Sequence, residues 1–108
     1  MKAVLYGRFK QGLHNGFYSH AAMVVSRSSL LFDVGFFFRN RYEFTPEQVN
    51  RLQTTDGGLR IYHTKEDCVS PIVFKVALFK SQNLSMRTIK RTGFVPRGRT
   101  RFKSTEKV

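Results

Sequence analysis

Three residue types in this chain could carry covalent chemistry together: a thiol, an imidazole and a carboxylate. Cys68 is the sole cysteine, so it can form neither an internal disulfide nor a multi-thiolate zinc site. It follows Asp67 and precedes Val69-Ser70-Pro71 and an apolar run that ends near Lys80, a pattern that predicts a helix opening at Asp67. Free N–H groups and the positive end of the helix dipole would then favour thiolate over thiol. A thiolate nucleophile needs a base to manage its proton and a group behind that base to orient it. His20 is the candidate base and Asp33 the candidate orienting acid.

The elements that must position these residues follow from local pattern. Ala3 to Phe9 and Ser19 to Val25 are expected strands, and Leu30 to Val34 is a third, joined to the second through a turn at Ser26-Arg27-Ser28-Ser29. A two- or four-residue loop there pairs Val25 with Leu30 and Ala22 with Asp33. Asp33 then shares a face with His20 as its diagonal neighbour, roughly 7–8 Å away at the backbone. Thr45-Pro46-Glu47-Gln48 carries the marks of a helix start, with Val49 and Leu52 on its inner face. Leu59 to Tyr62 alternates as a strand would. Ile72, Val73, Val76, Ala77 and Phe79 make an apolar stripe read as a buried helix, with a strand as the alternative. The expected architecture is α+β: a small antiparallel sheet packed against two or three helices.

Ser19-His20-Ala21-Ala22-Met23-Val24-Val25, the acid Asp33, a capped helix, Tyr62, and then Asp67-Cys68-Val69-Ser70 make a series that resembles the circularly permuted papain-like cysteine hydrolases. These are the NlpC-like enzymes and their lecithin:retinol acyltransferase relatives. The resemblance spans about residues 3–80. It implies a permuted papain-like layout, with Cys68 as nucleophile, His20 as base and Asp33 as the third polar residue. The reaction implied is acyl transfer from an amide, thioester or ester substrate, and it calls for no cofactor and no metal.

Plainer readings stand beside it. Cys68 is otherwise a small buried thiol, His20 a core histidine bonded to a carbonyl, and Asp33 an acid paired with an arginine. His63 is a rival imidazole or, more simply, a solvent-facing one. His14 lies in a Gly/Asn loop that could border a cleft. Of Gly35-Phe36-Phe37-Phe38-Arg39, at least one ring should point outward, as a contact for a lipid, a partner or a base.

Charge supplies a reading from another class. The 108 residues hold 19 Lys and Arg against seven Asp and Glu, a net +12. Residues 87–108 alone carry eight basic groups and one acidic. Residues 1–86 therefore read as one domain and 87–108 as a basic, largely extended tail, with Phe94 and Val95 as residues that could dock. Arg91, Arg97, Arg99, Arg101 and Lys103 are its candidate phosphate contacts. On this view the protein is a non-catalytic module that binds nucleic acid or a host factor, of a size and charge that suit a viral protein. No apolar run is long enough for a membrane-spanning helix, and the N-terminus meets charge too early for a secretory signal, so the expected location is the cytoplasm, the host's if viral.

Overall fold

The computed structural model of the chain describes residues 1–13, 16–55, 58–76 and 86–96. Among these residues seven strands form one antiparallel sheet: β1 (Ala3–Gln11), β2 (Ser19–Val25), β3 (Leu30–Val34), β4 (Asn40–Phe44), β5 (Val49–Thr55), β6 (Gly58–His63) and β7 (Ile72–Val76). Their order across the sheet is β4-β3-β2-β1-β7-β6-β5. The β2–β3 hairpin has the expected register, Val25 opposite Leu30 and Ala22 opposite Asp33.

Chain geometry forces this sheet to curl. Laid flat, its two edge strands would stand about 29 Å apart at the usual strand spacing. They are β4 and β5, and Phe44 and Val49 are only five residues apart, a reach of at most about 18 Å. Because all six neighbouring pairs are antiparallel, β4 and β5 run in the same direction. They act as two lengths of one bent strand, broken by a 3-10 turn at Pro46–Gln48. The first length pairs with β3, the second with β6, and the sheet wraps into a barrel-like wall.

The inside of that wall is the core. Alternate residues point inward: Phe9, Met23, Phe32, Phe44, Leu59, Ile61, Ile72 and Phe74 are all buried. Phe32 is the hub, with ring centroids 5.1 Å from Phe9, 5.5 Å from Phe74 and 6.3 Å from Phe44. Gly7 faces the same interior, where a Cβ would collide with the Lys75 carbonyl, so no larger residue fits. One pole is closed by α1 (Met86–Arg91) and the segment after it, which bury Ile89 and Phe94 in the core cluster. Gly93 lies against the side chain of Arg27 from the β2–β3 turn. The opposite pole carries the β1–β2, β3–β4 and β6–β7 loops, since those strand pairs all reverse there.

The expected α+β layout with two or three helices is therefore corrected to a curled β-sheet. Among the described residues α1 is the one α-helix. At Thr45 the start signal is physically present: the Thr45 N–H donates to Gln48 Oε1 at 2.9 Å, and Gln48 N–H donates back to the Thr45 carbonyl at 3.0 Å. It closes a single 3-10 turn and no more. Val49, Asn50, Thr54 and Thr55 are weak helix formers on either side of Arg51-Leu52-Gln53, and β6 offers the segment a ladder. No helix opens at Asp67 either; residues 66 and 67 form a turn, and Ile72–Val76 is strand. Ile72, Val73 and Phe74 are buried in succession, so this run lacks the alternation that marks a strand. The expected boundary between residues 86 and 87 falls inside α1. Phe94 is docked and Val95 is exposed.

Candidate functional site

Cys68 sits in the β6–β7 loop, its backbone N–H donating to the Lys65 carbonyl at 3.4 Å and its side chain half-buried against the core cluster. With no helix beginning here, there is no dipole to stabilise a thiolate. Burial pushes the thiol pKa up, and the carboxylate of Asp67 adds to that. Among the described residues no imidazole is hydrogen-bonded to the sulfur.

His63, expected to face solvent, is buried. Its Nδ1 accepts the Lys65 N–H at 3.0 Å and its Nε2 donates to the Val69 carbonyl at 3.3 Å. That pair of bonds fixes the neutral Nε2–H tautomer and staples both ends of the loop that carries Cys68. Burial lowers the pKa of the ring; Lys65 lowers it further, while the Val69 carbonyl and Asp67 oppose the shift. The ring packs on Phe44, centroids 4.8 Å apart. The sequence signal missed here was position: His63 falls two residues after Ile61, on the inward phase of β6.

His20 and Asp33 lie on the outer face of the wall, as the hairpin register requires. They are engaged elsewhere. The His20 ring packs on Phe36 with centroids 4.5 Å apart. Asp33 Oδ2 accepts from Arg39 Nη1 at 3.3 Å, and its buried Oδ1 has no partner among the described residues. Cys68 packs toward the interior and His20 points outward, so the structure does not bring the three residues together.

What the outer face does assemble is cationic and aromatic. The strands β1, β2, β5, β6 and β7 contain no Asp or Glu. Their outward positions carry Arg8, Lys10, Arg51, Arg60 and Lys75, with Tyr6 and Tyr62 among them. Arg8 is paired with His20 on one side and Lys75 on the other, a continuous row across three strands. The Tyr18 ring lies between two ammonium groups, 4.8 Å from Lys10 Nζ and 5.3 Å from Lys75 Nζ. The Arg51 guanidinium stands 4.6 Å from the Tyr62 ring. Partial burial would raise the Tyr62 pKa, but hydrogen bonds and charge from Arg60 and Arg51 outweigh it and lower it.

No family model, curated protein or solved structure matches this chain. The geometry alone must therefore carry the functional argument.

Of the basic residues singled out near the C-terminus, Arg91 ends α1 and is exposed, while Arg97, Arg99, Arg101 and Lys103 lie outside the described residues, as does His14. No helix among the described residues is long and apolar enough to cross a membrane. The strand cations were the larger omission. Their signal was available as Tyr6-Gly7-Arg8-Phe9-Lys10 and Arg60-Ile61-Tyr62, where polar residues alternate with inward ones.

Proposed function

We propose that the protein binds nucleic acid, with phosphates laid across the outer face of β1, β7 and β6. The observation that carries this reading is the segregation of charge: five of the seven strands contain no carboxylate at all, and four of these five hold cations outward. A surface of one sign, on a protein of net +12, attracts a polyanion from a distance and exchanges its counterions on contact. Tyrosine rings between the cations supply flat apolar surface that a nucleotide can cover. Arg91, exposed at the end of α1, adds to the same charge.

The alternative use of the chain, acyl transfer by Cys68, asks for a low-pKa thiol beside an imidazole. The surroundings of Cys68 favour the protonated thiol instead. Binding of a fluorescent oligonucleotide to the full chain tests the proposal. Affinity should fall by a factor of about 10³ or more between 50 and 200 mM salt if six or more phosphates are engaged. Binding that is absent, or insensitive to salt, defeats it.

A further inference from the structure

Among the described residues, six of the ten exposed large apolar side chains gather at one pole. Leu13, Phe17, Phe36, Phe37, Phe38 and Val69 all belong to the three loops of the open pole. Phe17, Phe37 and Phe38 are more than nine-tenths exposed, at 92%, 94% and 91%, and Phe36 is at 66%. Each phenyl ring left in water forgoes about 1.5–3 kcal/mol that burial would give, so the sequence holds several of its eleven Phe out of the core.

The backbone fixes this display. Gly35 has φ +105°, a left-handed conformation that favours glycine, and a Cβ there would collide with the Phe38 carbonyl. Its N–H donates to the His20 carbonyl at 2.8 Å, tying the turn to β2. Phe36 then rests on the His20 ring, whose cross-strand partner is Arg8. The aromatic tip is thus continuous with the cationic row of Arg8 and Lys75. Arg39, beside the tip, neutralises Asp33, the one carboxylate on β3.

We infer that this aromatic tip stacks unpaired bases, so the nucleic acid held on the outer face is single-stranded; this rests on the nucleic-acid reading above. Stacking on aromatic side chains contributes about 1–3 kcal/mol per base and needs a free π-face, which a duplex covers with its own neighbouring pairs. The continuity of the tip with the cationic flank through His20 and Arg8 favours a strand over a bilayer. A membrane touched by the pole would meet the tip but leave the row of Arg8 and Lys75, on the flank of the barrel, away from the headgroups.

Fluorescence anisotropy with an oligothymidylate of about 15 nucleotides and a duplex of equal length tests it on the full chain, beside a variant carrying Phe37→Ala and Phe38→Ala. Both side chains are exposed, and circular dichroism checks that the variant stays folded. The strand should bind at least about tenfold tighter than the duplex, and the variant should lose about tenfold on the strand alone, equivalent to about 1.4 kcal/mol. Equal affinity for strand and duplex, untouched by the double substitution, overturns the inference and leaves the cationic face standing. Loss of binding to vesicles of anionic lipid, with no loss on the strand, also overturns it and assigns the tip to membranes. Binding of neither nucleic acid by the unaltered chain overturns the parent reading.

Discussion

The two poles of the barrel use phenylalanine in opposite ways. At the closed pole, α1 and the segment behind it turn Ile89 and Phe94 inward, and both are sealed into the core. At the open pole, Phe17 and Phe36 to Phe38 stand in solvent, and the hydrogen bonds go to backbone and polar side chains: Gln11 Nε2 to the Tyr42 hydroxyl at 3.1 Å, and Val69 N–H to Gln11 Oε1 at 3.1 Å. The open pole is therefore ordered by a polar lattice and not by its apolar residues. Identical side chains stabilise the fold at one end and remain available for contact at the other.

Unfolding by urea should separate the poles most sharply. Phe94→Ala removes a fully buried ring and should lower stability by about 3–5 kcal/mol, whereas Phe37→Ala should change it by no more than about 0.5 kcal/mol. Comparable losses at both positions would erase the distinction between the poles.

A smaller effect concerns the staple inside the open pole. The folded state depresses the His63 pKa, so the unfolded chain takes up the proton more readily. Stability should be complete above the ordinary histidine range near pH 6.5 and should decline as pH falls below it, with a limiting slope of about 1.4 kcal/mol per pH unit for one proton. In the protonated ring Nδ1 can no longer accept the Lys65 N–H. His63→Gln should flatten that slope, even if it also lowers stability throughout, and an unchanged slope would assign the pH dependence to another group.

The smallest expected effect is at Cys68. Its thiol should react with iodoacetamide more slowly than free cysteine near neutral pH, since burial and Asp67 both raise its pKa. Faster reaction would restore the thiolate chemistry that the sequence suggests.

The β2–β3 hairpin was legible because the turn at Ser26 to Ser29 and the alternation on both sides specify one register. The two misread helices fail for different reasons. At Thr45 the local signal is real but short, and the neighbouring strand outcompetes it after one turn. At Ile72 to Val76 the apolar residues satisfy helical and strand patterns equally, and only the partners on either side decide. The expected helix start under Cys68 goes with the second: Cys68 belongs to a loop that His63 pins. Closure of the sheet was implicit in the short link between Phe44 and Val49, but only once both were known to be edge strands. The outward cations were visible as an alternation, though their shared face depends on strand order, which joins β1 to β7 across the length of the chain.

A nucleic acid on the outer face places its phosphates against the row of Arg8 and Lys75. The most direct measurement is the slope of log affinity against log salt for an oligothymidylate, in the unaltered chain and in a variant with Arg8→Glu and Lys75→Glu. Binding should weaken and the slope become shallower by about 1.4 or more, from the loss of two phosphate contacts on a single strand at about 0.7 each. An unchanged affinity and slope in a folded variant would contradict it.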